Sequence, residues 1–192
     1  MNGFALHLMR HGAPERPGRL WGHEDEPSSA QGVALCVERA RTLDFARVVT
    51  SDLSRAWAPG AIIAAERAVP HNADPQWREL HFGQWDGADP ALLPQGDLAR
   101  FWRDPDRFPP PGGERWSDLR GRIATALHAC CDPMLIICHA GAMRAALAVL
   151  CGFDMRQGWA VDLPYGAVLS LKVWPGEQLS GQMTGQMTGL LT

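Results

Sequence analysis

Short runs of almost unbroken apolar residues alternate along this chain with longer stretches in which apolar positions recur every three or four residues. The first kind reads as buried strand and the second as amphipathic helix. Four runs qualify as strands: Phe4 to Arg10, Arg47 to Thr50, Met134 to Cys138 and Ala167 to Val173. Between them, Ser28-Ser29-Ala30-Gln31 forms a capping-box pattern that predicts a helix to about Leu43, with Val33, Cys36, Val37 and Ala40 on its core face. Ser51-Asp52-Leu53-Ser54-Arg55-Ala56 carries the second strand into a helix reaching about Glu66, in which Pro59 is tolerated only near the start. Gly113-Glu114 opens the clearest amphipathic helix, with Trp116, Leu119, Ile123 and Leu127 on one face and Glu114 suited to its dipole as a cap. A further helix is predicted from Ala142 to Cys151. The rest reads as irregular: a loop from Ala13 to Pro27, an ordered loop from Pro70 to Gly87, and a proline-rich lid or cap from about 88 to 113 with one short helix near Asp97 to Arg103. The tail from about 177 onward repeats Gly181-Gln182-Met183-Thr184 as Gly185-Gln186-Met187-Thr188, which reads as a tolerated terminal insertion.

Strands alternating with helices predict an α/β fold: a three-layer sandwich with a mostly parallel sheet and helices on both faces. A length of 192 residues suits one domain spanning residues 1–192. A formal charge of −3 argues against a long polyanion, so no nucleic acid is expected as partner. Five cysteines without framework spacing point to a reducing compartment. No apolar run has the length of a membrane span, and none at the N-terminus has the features of a signal peptide. The expectation is a cytoplasmic protein with no membrane partner.

Two of the predicted strands end alike, in Arg10-His11-Gly12 and in His139-Ala140-Gly141 followed by a helix. Ligands of open α/β sheets collect beyond the carboxyl ends of the strands. That places Arg10, His11, Arg55 and His139 on one edge, where two guanidinium groups and two imidazoles would repel one another unless an anion sat among them. Arginine suits phosphate through bidentate hydrogen bonds, and the N-terminus of the helix after His139 adds backbone N–H groups. Taken alone, Arg55 reads as a solvated helix residue. His7 reads as a packed or edge histidine; His23, His71 and His128 read as surface. No Gly-x-x-x-x-Gly-Lys loop is present, and no partner completes a metal set around Cys138-His139, so neither metal nor cofactor is expected.

Five segments in order, Leu8-Met9-Arg10-His11-Gly12, Ser51 to Ala56, Arg78 to Gly87, Gly112-Gly113-Glu114 and His139-Ala140-Gly141, resemble the histidine phosphatase superfamily, whose members include cofactor-dependent phosphoglycerate mutases. The resemblance implies a phosphoglycerate mutase-like fold and a covalent phosphohistidine at His11. It implies that Arg10, Arg55 and His139 grip the phosphoryl oxygens, with Gly12 and Ala140 as further substrate contacts, and that Glu79 serves as acid and base. Trp77, Phe82 and Trp85 would desolvate Glu79 and favour its protonated form, while nearby arginines oppose that. Departures are Ala13-Pro14, where the family often has Glu-Thr, and Asp52, where many members have Pro. Gly18 to His23, Phe82 to Trp85 and the short segment 104–114 look like the α-ribazole phosphatase branch. The implied activity is hydrolysis of a small phosphorylated metabolite, α-ribazole phosphate in cobalamin biosynthesis being a specific candidate. A mutase and a non-catalytic phosphate-binding module are the alternatives.

Overall fold

The computed structural model describes residues 3–174 and 183–192 of the protein. Its strands are β1 (Phe4–Arg10), β2 (Arg47–Thr50), β3 (His71–Ala73), β4 (Met134–Cys138), β5 (Val168–Trp174) and β6 (Thr184–Leu191). They form one sheet in the order β3-β2-β4-β1-β5-β6. β1 to β4 run parallel where they pair, while β5 lies antiparallel to β1 and β6 antiparallel to β5. The fold is therefore α/β with a mostly parallel sheet.

Helices α1 (Ala30–Ala40) and α2 (Ser54–Arg67) cover one face; α4 (Trp116–His128) and α5 (Ala140–Cys151) cover the other. All five residues of β4 are buried, as expected of a strand with helices on both sides. Its side chains alternate between the two layers. Leu135 and Ile137 pack with Met9, Cys36 and Ile63, whereas Met134, Ile136 and Cys138 pack with Leu6, Leu8, Leu119 and Ile123. His7 is packed, as its place on β1 suggested: its ring nitrogens lie 2.8 Å from Ser170 Oγ and 3.2 Å from the Asp44 carbonyl.

Several boundaries differ from the sequence reading, each for a local reason. The cap of α1 is Ser29, whose hydroxyl accepts the Gly32 N–H, because Ser28 is committed elsewhere. Pro59 sits at the sixth position of α2. Having no N–H, it leaves the Arg55 carbonyl without its helical donor, and the Ser28 hydroxyl stands 3.1 Å from that oxygen. α4 begins at Trp116, and Glu114 does not cap it: Glu114 instead takes the Arg122 guanidinium on both carboxylate oxygens, at 2.7 and 2.9 Å. α5 starts at Ala140, two residues earlier than expected, with His139 as its N-cap residue.

The region read as irregular contains β3. The lid segment carries α3 (Gln95–Arg103), and a short α6 (Met155–Ala160) follows α5. The tail, for which no strand was expected, pairs with the sheet where it is described: Thr184–Leu191 hydrogen-bonds along β5, with Trp174 opposite Thr184 and Val168 opposite Leu191. Of the duplicated tetrapeptide, Gly181-Gln182 lies outside the described residues.

Candidate active site

Register brings the two histidines together. Arg10 pairs with Cys138 across β1 and β4, and Thr50 pairs with Ile137 across β2 and β4. The chain leaves all three strands at the same edge, where His11 N–H donates to the Cys138 carbonyl and Ser51 N–H to the Ile137 carbonyl. The His11 and His139 rings meet edge-on with centroids 5.0 Å apart. Both side chains are buried, at 5% and 0% exposure; His11 lines a cavity of about 230 Å³ with Arg10, Glu79, Ala140, Gly141, Arg144 and Tyr165, and His139 lies directly behind it.

The two rings are held in opposite proton arrangements. His11 Nδ1 lies 2.7 Å from the Gly12 carbonyl oxygen. A carbonyl can only accept, so Nδ1 bears the proton and Nε2 keeps a free lone pair. His139 Nδ1 accepts from Arg55 Nε at 3.3 Å, which puts the proton on Nε2. That Nε2–H is buried without a partner, and so is Arg10 Nε. Two enclosed donors lacking acceptors, beside an imidazole with a free lone pair, are a site for an oxyanion. Burial pushes both imidazoles well below the ordinary histidine value, and Arg55 and Arg10 push them further, so both rings are neutral at neutral pH.

Close approach depends on two glycines. A Cβ on Gly12 would lie 2.1 Å from the Gly32 carbonyl oxygen, so the turn after His11 sits against the start of α1 only with Gly there. A Cβ on Gly141 would lie 2.1 Å from Glu79 Oε1. Gly141 N–H donates to Glu79 Oε2 at 3.1 Å and Leu80 N–H to Glu79 Oε1 at 2.8 Å, so the carboxylate is docked on the first turn of α5. The stretch that carries Glu79 is clamped from behind: Arg122 donates to the carbonyls of Gln76, Arg78 and Glu79 while paired with Glu114. Asp52, the departure at the family's proline, forms a two-pronged pair with Arg78 at 2.7 and 2.6 Å, beside Glu79.

Arg55 departs from the expected grip on phosphate. It is fully buried and its guanidinium is turned to protein: Nη2 donates to the carbonyls of Trp21 and Gly22, Nη1 to Glu24, and Nε to His139. Its one link toward the His11 ring among the described contacts is its hydrogen bond to His139. Gly12 likewise acts through its carbonyl, which accepts the His11 Nδ1–H and stands 3.1 Å from the Ser28 hydroxyl. His23 and His71 are half-buried, not surface. His23 Nε2 donates to the Glu79 carbonyl at 3.0 Å and its ring meets that of His81, and His71 pairs with the Thr50 hydroxyl. His128 is exposed, as expected. His81 Nδ1 accepts from Gly83 N–H, which ties it to its own turn.

Two cavity residues had gone unnoticed in the sequence. Tyr165, the chain's sole tyrosine, lies with its ring 3.9 Å from the Arg10 guanidinium carbon and 5.6 Å from the His11 ring. Arg144 is the one charged residue of α5 and shares the cavity-facing side of the helix with Ala140 and Gly141. Its isolation in an apolar helix, four positions beyond Ala140, was the available signal. Beyond these groups the cavity wall is mostly apolar, with Trp21, Phe82, Phe101, Trp102, Trp116 and Trp159 as its aromatic part and Arg19 as a further cation. Among the described residues no three His, Cys, Asp or Glu side chains cluster as metal ligands, and no helix is long and apolar enough to cross a membrane.

A mostly parallel sheet whose edge presents a neutral, lone-pair-bearing imidazole beside two enclosed, unpartnered N–H donors is suited to phosphoryl transfer. The chain matches the family model of the histidine phosphatase superfamily (branch 1) over residues 6–183, and it belongs to that superfamily. It is 29% identical over 177 residues to a glucosyl-3-phosphoglycerate phosphatase of Mycolicibacterium vanbaalenii, covering 81% of this chain and 77% of the relative. It is 25% identical over 188 residues to the adenosylcobalamin/alpha-ribazole phosphatase of Salmonella typhimurium, covering 89% of this chain and 91% of that one. In three dimensions it superposes on a putative alpha-ribazole-5'-P phosphatase of Escherichia coli with a TM-score of 0.81, at 20% identity, over 100% of this chain and 97% of the other. The chain is thus a phosphatase acting on small phosphorylated substrates.

Proposed function

We propose that the protein hydrolyses a phosphomonoester in two steps through a phosphohistidine at His11. His11 Nε2 attacks phosphorus, the bond to the ester oxygen breaks, and the departing alkoxide takes a proton from the Glu79 carboxyl group. Glu79, now a carboxylate, removes a proton from water as that water attacks phosphorus, the P–N bond breaks, and inorganic phosphate leaves. Arg10 and the Nε2–H of His139 hold the phosphoryl oxygens throughout, the electrostatic support on which phosphoryl transfer chiefly depends. The observation that carries this reading is the pair of buried, unpartnered donors, Arg10 Nε and His139 Nε2, beside an imidazole whose Nδ1 proton is already committed.

The substrate we favour is α-ribazole phosphate. Its leaving group carries a flat heteroaromatic base, and the cavity wall offers Trp102, Trp116, Trp159, Phe82 and Phe101 as stacking surface. A second reading, a phosphorylated acid such as glucosyl-3-phosphoglycerate, is favoured by Arg144, whose guanidinium donates to the Gly158 and Val161 carbonyls, lies 4.7 Å from the Trp159 ring centre and has no carboxylate partner among the described residues. The test is a panel of phosphomonoesters with excess chelator present. The expected result is metal-independent release of phosphate, highest kcat/KM on α-ribazole phosphate, and an acid-labile, alkali-stable phosphoryl group trapped on the wild type and absent from H11A. Equal rates across the panel overturn the α-ribazole assignment, isomerised phosphoglycerate with little free phosphate favours a mutase, and phosphate binding without turnover on any ester leaves only the binding module.

A further inference from the structure

Asp86 lies outside the cavity wall yet organises one of its rings. Its carboxylate accepts three successive backbone N–H groups, Gly22 on Oδ1 at 2.8 Å and His23 and Glu24 on Oδ2 at 2.7 and 3.3 Å. Such a run of amides closing on one anion is a nest. The other faces of those peptide groups belong to Arg55, whose Nη2 donates to the carbonyls of Trp21 at 3.2 Å and Gly22 at 2.5 Å. The Trp21 carbonyl and Gly22 N–H are one peptide group, and the Gly22 carbonyl and His23 N–H are the next. Two consecutive peptide dipoles therefore stand between a carboxylate and a guanidinium with both ends correctly aligned, so each bond polarises and strengthens the other.

The packing permits nothing bulkier. A Cβ on Gly22 would lie 2.6 Å from the Leu80 carbonyl and 2.8 Å from Asp86 Oδ2. Gly87, with φ +71°, has Glu24 Oε2 2.0 Å from where its Cβ would go. Burial disfavours the charged guanidinium of Arg55, while Glu79, Asp25 and Asp86 favour it. No carboxylate touches it directly among the described contacts. Its counter-charge arrives through peptide groups.

We infer that Asp86 is a positioning residue for His139: by fixing the 21–24 turn it aims Arg55 Nε at His139 Nδ1 and so keeps the proton on Nε2, facing the phosphoryl oxygens. Without that turn nothing described holds Nε at Nδ1, and the imidazole can take the other tautomer, which would turn a lone pair toward a charged oxygen. The inference rests on the reading of His139 as an oxyanion donor, but its decisive measurement does not require turnover.

That measurement is the tautomer of His139 by 15N-detected imidazole NMR, on the resting protein, in wild type and D86N. Asparagine keeps the size but cannot accept three N–H groups on two oxygens. The wild type is expected to show a single Nε2–H tautomer and D86N a mixture, with kcat lowered about 10- to 100-fold, the usual cost of losing such outer support. KM should move less than about threefold, because Arg10 still binds the phosphoryl oxygens and the lost donor is one whose grip tightens in the transition state. A folded D86N that keeps the single tautomer, or one with wild-type kcat, overturns the inference. If near-UV circular dichroism shows D86N unfolded, R55M serves: it fills similar space but has no N–H to offer His139 Nδ1, and a single Nε2–H tautomer there likewise overturns it.

Discussion

The carboxyl ends of β1 and β4 carry the same device, a strand, a histidine and a sharp turn into backbone N–H groups, and they sit side by side in one sheet. They are nevertheless chemical opposites. His11 donates its Nδ1–H to the carbonyl next to it, at Gly12, so its commitment is local and its outward nitrogen bears a lone pair. His139 receives a proton contact from Arg55, 84 residues away in sequence, so its outward nitrogen is a donor. Which role an imidazole takes is decided by what its other nitrogen meets. Repetition of a motif at two strand ends does not mean repetition of its chemistry.

The largest effects should separate the two rings. H11Q removes the imidazole proposed as the nucleophile, and its kcat should fall at least about 10³-fold, losses of this kind being the rule for a nucleophile. H139Q keeps a buried N–H donor in roughly the same place, so its kcat should fall less, about 10²-fold, near the low end for removal of one oxyanion-hole donor. Steady-state rates on one ester decide this, with phosphate binding by calorimetry to show that both variants retain the site. Equal losses for the two would erase the distinction drawn between them.

That distinction is only half legible in the sequence. The strand ends, the convergence of His11 with His139 and the anion between them follow from apolar runs and from the rule that parallel strands end together. The direction of Arg55 does not follow. Its role depends on the 21–24 turn, whose shape is set by Asp86 from a segment sixty residues further on, and no local pattern reports that. The same holds for Ser28, whose hydroxyl answers a carbonyl freed by Pro59, and for Glu114, which looks like a cap until Arg122 is found beside it. In each case a local signal was outbid by a distant partner. β6 was missed for a related reason: its Gly-Gln-Met-Thr sequence is a weak strand former, and it is strand because β5 offers an open edge.

A smaller effect should follow from crowding the second strand end alone. G141A places a methyl group where Glu79 Oε1 now sits and displaces the carboxylate without touching either histidine. A shift of about 1 Å in a reacting group can cost on the order of 10²-fold, so kcat should fall about 10- to 100-fold for an alkyl phosphate. For p-nitrophenyl phosphate, whose leaving group departs without needing a proton, the loss should be several-fold smaller. The same loss on both esters would show that Gly141 serves the oxyanion site and not Glu79.

The smallest effect concerns stability and reads the one property the two rings share, their neutrality. Burial first, and then Arg55 and Arg10, hold His11 well below its ordinary 6.5; for His139 burial, Arg55, His11 and Arg10 act in the same order. As pH falls through 6.5 the unfolded chain takes up a proton at each site and the folded chain does not, so the unfolded state binds more protons and stability falls with falling pH. The contribution is whole above 6.5 and is lost progressively below it, at up to about 1.4 kcal/mol per pH unit for each ring. His7, His23 and His71 are also lowered and tilt the slope the same way, whereas Asp52 and Glu26, lowered from 3.8 and 4.5, lose their contributions only in more acid solution. The clean observable is therefore a difference. Between pH 7.5 and 5.5 in urea titrations, the wild type should lose about 1 kcal/mol more than H11Q, and H139Q should match H11Q because burial treats the two rings alike. Parallel pH courses for wild type and H11Q would mean that His11 takes up its proton in the folded chain as readily as in the unfolded one, so that burial and the two arginines do not hold its ring neutral in mild acid.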